Sequence, residues 1–168
     1  MSDGARILRL GTRGSRLAVR QTEWIAAQIR ERAPGIEIEI RTIRTTGDRV
    51  RGPLREIGGK GLFTKEIEEA LRAGDVDAGI HSLKDLPAGL PPGLEIAAVP
   101  VREDPRDAIV GSTRGGLPAV PRHARVGTGS LRRQALLRHL RPDLEIVDLR
   151  GNVDTRIGKW RSGELDAV

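Results

Sequence analysis

The sequence predicts an α/β fold made of two lobes. Short apolar stretches alternate along the 168 residues with amphipathic helical stretches, and loops rich in glycine and proline join them. At 101–107 the composition turns charged, and the alternation then begins again. We therefore expect a first lobe over 1–100, a hinge over 101–107 and a second lobe over 108–168.

The first lobe should begin with a strand over 6–10, followed by a Gly-Thr-Arg-Gly turn. Ser15 can cap a helix that runs to about Arg32. Isoleucines alternate with glutamates over 36–40, which predicts a strand with one wet face, near a sheet edge. The glycine-rich stretch 45–62 predicts a mobile loop, of the kind that often closes over ligands.

The rest of the pattern is predicted as follows: a helix over 64–73, strands over 76–80, 94–99, 108–110, 125–127 and 145–149, and helices over 130–140 and 153–162. The last residues, 165–168, have the pattern of another strand beginning, with no helix after it to cover the sheet. We therefore expect the second lobe to be incomplete, and the first nearly complete.

The charge of the chain favours anionic ligands. Lysines and arginines number 29 against 23 acidic residues, and only four of the basic residues are lysine. Arginine presents a planar fork of donors that suits carboxylate or phosphate. Codon bias and solvated surface remain the alternative explanation on composition alone. The chain has no cysteine, and it shows no signal-like apolar run, which predicts a cytoplasmic location.

Three predicted strand-to-helix junctions share glycines, hydroxyls and arginines. They are 11–15 (Gly-Thr-Arg-Gly-Ser), 127–133 (Gly-Thr-Gly-Ser-Leu-Arg-Arg) and 150–156 (Arg-Gly-Asn-Val-Asp-Thr-Arg). Glycine lets the backbone approach a ligand, and a helix start supplies unpaired amides. Ordinary helix caps with solvated arginines would explain any one of them; three together favour an anion site. None has the spacing of a phosphate loop or a dinucleotide fingerprint, so several carboxylates are favoured over one nucleotide.

Lys84 and Asp85 form a further candidate, because an acid and a base leave a strand end together, just before Pro87. A turn-forming aspartate is the alternative. In an arginine-lined cleft Asp85 would stay ionised and stabilise positive charge on a substrate. The three histidines lack the spacing of a metal site and are interpreted as structural or surface residues. Trp24 and Trp160 are expected in the core, whereas Phe63 could cover a flat ligand.

The chain resembles the hydroxymethylbilane synthase (porphobilinogen deaminase) family over its whole length. The resemblance is carried by these segments: Gly-Thr-Arg-Gly-Ser at 11–15, Gly-Gly-Lys-Gly-Leu-Phe at 58–63, His-Ser-Leu-Lys-Asp-Leu-Pro at 81–87, Arg-Glu-Asp-Pro-Arg-Asp at 102–107, 127–133, and Leu-Arg-Gly-Asn at 149–152. It implies lobes like those of type II periplasmic binding proteins, flanking a cleft, and a small third domain after them.

The resemblance also implies the activity. In this family a dipyrromethane cofactor hangs by a thioether from a cysteine of the third domain. Four porphobilinogens are joined head to tail, each losing ammonia, before hydrolysis releases the linear tetrapyrrole on the route to porphyrins and heme. Asp85 would steady the pyrrole nitrogens and the azafulvene cation, and Phe63 with the preceding loop resembles the family's lid. The residues that would hold acetate and propionate groups are Arg13, Ser15, Lys84, Thr128, Ser130, Arg132, Arg133, Arg150 and Arg156.

Some features depart from the family pattern. The cysteine-bearing third domain is absent and no cysteine occurs, so we expect the 168 residues alone to have no turnover. Glu56 and Gly129 stand where many relatives carry lysine and serine. A solute-binding module that takes a polyanion or small anion without catalysis is the alternative function. Nucleic acid is disfavoured because aromatics are 2% and acids interrupt the basic residues. No metal and no membrane partner is implied, and the complete protein is expected to be a monomer.

Overall fold

The computed structural model describes residues 6–49, 61–111 and 114–168. The chain forms two compact units, 1–99 and 100–168, and each is described by itself. Both units are α/β, as the alternating pattern predicts, and the strands of their sheets are parallel. Within the described residues, no helix combines the length and the apolar character needed to cross a membrane.

The first unit contains a three-stranded parallel sheet in the order β2-β1-β3. Its elements are β1 (Arg6–Arg13), α1 (Arg16–Arg32), β2 (Ile36–Ile43), α2 (Thr46–Arg49), α3 (Lys65–Ala73), β3 (Ala78–Gly79) and a 3₁₀ turn (Leu83–Asp85). The predicted loop 45–62 is described only at its two ends, and residues 50–60, which include Glu56, lie outside the described part.

A small apolar core joins helix α1 to the sheet. Leu10, Ala26 and Ile38 are buried together, with further isoleucines packed around them. The alternating glutamates of β2 leave one face exposed to solvent, as predicted. Strand β2 also lies at an edge of the described sheet, as predicted. Burial of these side chains supplies the main stabilisation, since each fully buried aliphatic side chain contributes about 1.5–3 kcal/mol.

Three expectations for this unit were wrong. Strand β1 does not end at Leu10, because 11–13 continue in register with 41–43 of β2. The predicted strand 94–99 forms no regular element, and Val99 is 68% exposed. A β-prone sequence becomes a strand only when a neighbour accepts its backbone hydrogen bonds. Trp24 is 41% exposed, so it lies outside the core.

The second unit has a two-stranded parallel sheet. Its elements are a 3₁₀ turn (Leu117–Ala119), β4 (Arg125–Gly127), α4 (Leu131–Leu140), β5 (Glu145–Val147) and α5 (Val153–Arg161). A core of Val120, Ala124, Val126, Leu144 and Ala167 packs against it. The predicted bounds of β4 are confirmed, whereas β5 ends two residues earlier than expected.

The two remaining strand predictions are met only by isolated bridges. Residues 108–110 form no strand, and the pairing there is a single antiparallel bridge between Gly111 and Ala167. Ala167 also bridges Val126 in parallel, so the last residues lie beside β4. The amide of Val168 donates to the Val110 carbonyl at 2.8 Å, and the reverse bond has the same length.

Candidate anion-binding site

In the first unit, the predicted site residues follow strand ends on one edge of the sheet. The strands are parallel, so β1, β2 and β3 end at the same edge. Arg13 closes β1, Ser15 follows it, and the segment with Lys84 and Asp85 follows β3. The carboxyl edge of a parallel sheet is where α/β proteins usually bind ligands.

Arg13 is held by an aromatic ring. Its guanidinium carbon lies 4.2 Å from the centre of the Phe63 ring, a cation–π contact. The ring packs against Gly47, where a β-carbon would lie only 2.2 Å from Phe63 Cε1. Phe63 therefore covers an arginine in this structure.

Hydrogen bonds fix the segments on either side of this ring. The amide of Gly47 donates to the Leu62 carbonyl at 2.7 Å. The amide and hydroxyl of Thr46 donate to Glu66 Oε1 at 2.8 and 2.5 Å. We call Thr46, Gly47, Leu62, Phe63 and Glu66 the loop clasp. It joins the chain before residue 50 to the chain after residue 60.

Ser15 and Asp85 are positioned by local hydrogen bonds. Ser15 Oγ accepts from the Ala18 amide at 3.3 Å and caps α1, as the sequence predicts. Asp85 is half-buried at the end of its 3₁₀ turn, and its amide donates to the Ser82 carbonyl at 2.9 Å. Ser82 in turn donates to Gln21 on α1 at 3.2 Å. Lys84 is exposed.

His81, interpreted from the sequence as a structural or surface residue, lies between β3 and the 3₁₀ turn that contains Asp85. Burial lowers the pKa of its imidazole; Asp85 and Glu68 oppose that shift, and Arg13 reinforces it. Arg13 and Asp85 are therefore both within electrostatic reach of His81. The sequence feature that could have indicated a place for His81 at the site is its position directly before Ser-Leu-Lys-Asp. Its lowered pKa favours a neutral ring beside Asp85.

In the second unit, β4 and β5 are parallel and end together, so 128–130 and 148–152 share one edge. Thr128 is buried, and its hydroxyl accepts from the Ser130 amide at 3.2 Å. Ser130 caps α4 by accepting from the Arg133 amide at 3.5 Å. Asn152 caps α5 by accepting from the Thr155 amide at 2.9 Å.

Three predicted arginines form a cationic cluster at this edge, namely Arg133, Arg150 and Arg156. Burial lowers the pKa of the Arg156 guanidinium, and the charges of the other two lower it further; Asp148 acts in the opposite direction. Arg156 Nε donates to the Gly151 carbonyl at 2.7 Å. Arg150 Nε lies 3.5 Å from Asp148 Oδ2. The positive charges of Arg133 and Arg150 both act on Arg156, and such a concentration of guanidinium groups favours binding of an anion.

Arg132 is engaged by an acid that the sequence reasoning missed. Its two terminal nitrogens lie 2.7 and 2.8 Å from the carboxylate oxygens of Asp107. Arg133 Nε donates to the same carboxylate at 2.9 Å. The hydrogen bond from Arg132, with a contribution from Arg133, lowers the pKa of Asp107 to about 2. Asp107 lies in the predicted hinge, 25 residues from Arg132, so no local pattern indicated this contact.

Across the described ranges 6–49, 61–111 and 114–168, no group of three or more histidine or acidic side chains could hold a metal ion. The donors present in both units are amides, hydroxyls and guanidinium groups. The fold and these donors define an α/β protein with candidate anion-binding groups at the carboxyl edges of its parallel sheets.

Comparison with known proteins assigns the family. Residues 8–168 match the family model described as porphobilinogen deaminase, dipyrromethane cofactor binding domain. Proteins named porphobilinogen deaminase from Syntrophobacter fumaroxidans and Syntrophus aciditrophicus are 52% and 57% identical over 97% and 96% of this chain. One from a Caulobacter species is 54% identical over 96%. The chain belongs to the porphobilinogen deaminase family. It spans about half the length of these relatives, 53% in each case.

Proposed function

We propose that this chain provides the carboxylate-binding part of a porphobilinogen deaminase (hydroxymethylbilane synthase), a transferase of tetrapyrrole, porphyrin and heme synthesis. The reaction joins four porphobilinogens head to tail with loss of ammonia and releases hydroxymethylbilane by hydrolysis. The arginine cluster Arg133, Arg150 and Arg156 carries the proposal, because a growing polypyrrole bears many acetate and propionate groups. Family membership supplies the reaction, and the cluster supplies the physical reason for binding.

The donors of both units fit a dipyrromethane cofactor. When bound, the dipyrromethane supplies the pyrrole carbon to which the first porphobilinogen is joined. Its carboxylates require several donors that do not titrate near neutral pH, which guanidinium and hydroxyl groups provide. The residues proposed to hold cofactor and substrate carboxylates are Arg13, Ser15, Lys84, Thr128, Ser130, Arg132, Arg133, Arg150 and Arg156. The chain has no cysteine, so a thioether-forming residue would lie outside these 168 residues.

Asp85 is proposed as the catalytic residue. A half-buried carboxylate can accept hydrogen bonds from pyrrole N–H groups and stabilise the positive charge that develops as ammonia leaves. The neutral form of His81, favoured by burial, adds no second positive charge beside it. Arg13, within electrostatic reach of the same histidine, would hold a substrate carboxylate next to the reacting centre.

The proposed architecture has lobes of the type II periplasmic-binding kind, with 101–107 as the hinge. Its support is the shared plan of the units, each with parallel strands and its candidate residues at their carboxyl edge. We further propose a cytoplasmic monomer that binds neither nucleic acid nor membrane.

The decisive experiment is Asp85→Asn in the full-length protein, with Asp75→Asn as control. Asp75 is an exposed aspartate on the turn before β3. Loss of a charge that stabilises a transition state costs on the order of 10²–10³ in rate. We therefore expect Asp85→Asn to reduce ammonia release by at least about 100-fold, with porphobilinogen binding largely kept and the Asp75 variant unaffected.

Two outcomes would contradict the proposal. Undiminished turnover in Asp85→Asn would exclude the assigned catalytic role. Wild-type protein that binds porphobilinogen without releasing ammonia would favour the alternative of an anion-binding module without catalysis. Ammonia release and calorimetric titration with porphobilinogen measure the two separately.

A further inference from the structure

We propose that Asp107 is a positioning residue, which holds the side chains of Arg132 and Arg133 in the geometry that binds ligand carboxylates. This inference rests on the proposed function. Asp107 belongs to the segment that precedes the second unit's first paired residue, whereas the two arginines open helix α4. Nothing in the binding chemistry itself requires an acid here, so its presence needs an explanation.

Asp107 accepts three hydrogen bonds from two arginine side chains. Both Asp107 oxygens accept from Arg132, and one of them also accepts from Arg133 Nε. Two parallel bonds to one guanidinium fix its plane as well as its position. One carboxylate therefore orients two neighbouring side chains that would otherwise rotate independently.

Electrostatics explain why the residue that holds the two arginines is an acid. Arg132 and Arg133 are the second and third residues of α4, where the exposed amides of the helix start already carry partial positive charge. Two adjacent cations at that end repel each other and the helix dipole. Asp107 supplies the opposing charge. Because its pKa is about 2, it stays ionised throughout the range in which the protein would work.

The contact with Asp107 leaves the terminal nitrogens of Arg133 available to a ligand. Arg133 is bound to Asp107 through Nε alone, and its two terminal nitrogens have no hydrogen-bond partner among the described residues. Its charge also acts on Arg156. Fixing Nε on Asp107 thus orients the remaining edge of the guanidinium, the edge that grips a carboxylate bidentately.

The inference is tested with Asp107→Asn, Asp107→Glu and Asp104→Asn in the full-length protein. Asp104 is the matched control, because it lies three residues away and pairs with Arg106. We expect Asp107→Asn to raise KM for porphobilinogen about 10-fold while kcat changes less than about 3-fold, as removal of ground-state binding does. Asp107→Glu should recover most of the loss, and Asp104→Asn should match wild type.

A second readout does not depend on turnover. Calorimetric titration with benzene-1,3,5-tricarboxylate should show affinity about 10-fold weaker for Asp107→Asn, by the same loss of orientation, at every pH from 5 to 9. Unchanged or tighter binding would overturn the inference, since tighter binding would make Asp107 a competitor of the ligand. A glutamate variant no better than the asparagine variant would overturn it too. Wild-type protein that binds the tricarboxylate but converts no porphobilinogen would contradict the proposed function alone.

Discussion

The two units hold their candidate residues in different ways. In the first, β1 and β2 pair over eight residues each, and a buried apolar core lies beneath the strands. In the second, β4 and β5 pair over three residues each, and neither α4 nor α5 has a fully buried residue. There, Asp107 and Arg141 bind across segments that the short strands do not join.

Ion pairs occur in the first unit as well. Arg9 binds Asp77 at the amino end of β3, away from the edge that carries Arg13 and Asp85. In the second unit the pair of Asp107 and Arg132 lies at the candidate site itself. The first unit therefore supports its site with a longer sheet, whereas in the second unit a carboxylate pairs directly with two of the site's arginines. This contrast predicts which substitutions each unit tolerates.

The largest effect is expected from Leu10→Ala in the first unit. Leu10 is 1% exposed and packs with Ala26 and Ile38. Truncation of a buried leucine removes transfer energy and leaves a cavity, so we expect a loss of about 2–5 kcal/mol in the free energy of unfolding. Leu17→Ala is the control, since Leu17 is 52% exposed and should cost far less. Urea unfolding measures the loss of unfolding free energy in both variants. Equal losses would show that the buried core around Leu10 does not stabilise the first unit more than an exposed leucine does.

A smaller effect, directed at the site, is expected from Gly47→Ala in the loop clasp. The added β-carbon would lie 2.2 Å from Phe63 Cε1 and 2.8 Å from the Leu62 carbonyl oxygen. Such overpacking costs about 1–3 kcal/mol. The ring must shift, and Arg13 then loses its stacking partner. We expect KM for porphobilinogen in the full-length protein to rise about 5-fold, the equivalent of about 1 kcal/mol of stacking.

Gly35→Ala is the control for this substitution, because nothing lies within 4 Å of a β-carbon at that position. It should change neither KM nor the unfolding midpoint appreciably. Should Gly47→Ala leave KM unchanged, the position of Arg13 would not depend on the Phe63 ring, and packing would not be what orders this part of the first unit.

The same contrast explains how much the sequence could predict. Local periodicity and capping gave α1 with Ser15 and α4 with Ser130, because the residues that decide a cap are three apart. The prediction of an α/β class followed from the alternation of elements. The strand at 94–99 was wrong because pairing depends on a distant neighbour, which residue propensity does not report.

The candidate site divides in a similar way. The arginines at the strand ends could be named from their junctions. Asp107 was missed because its partners lie 25 and 26 residues away. His81 was interpreted as a structural or surface residue because it lacks the spacing of a metal site, and its burial appears only once the chain folds. The family resemblance supplied the reaction, which periodicity and spacing do not specify.

The smallest effect, and the sharpest test of a unit held by charge, concerns Arg141 and Asp143. Arg141 donates to the carbonyls of Leu117 and Val120 at 2.9 Å each, and it binds both oxygens of Asp143 at 2.8 and 2.7 Å. The hydrogen bonds from Arg141 lower the pKa of Asp143 to about 2. A carboxyl whose pKa is lowered by folding stabilises the fold above its unfolded pKa, near 4, and that contribution disappears as pH falls through 2.

Asp143→Asn should therefore lower the urea midpoint of the second unit at pH 7, by less than Leu10→Ala lowers that of the first. The difference from wild type should shrink as pH falls from about 4 towards 2, because the wild-type carboxyl then loses its charge too. Arg141→Gln should keep part of its effect at low pH, since the contacts to the two carbonyls do not titrate. A constant difference between Asp143→Asn and wild type across this range would mean that the shape of this contact, and not its charge, makes it important. The two units would then differ only in the length of their paired strands.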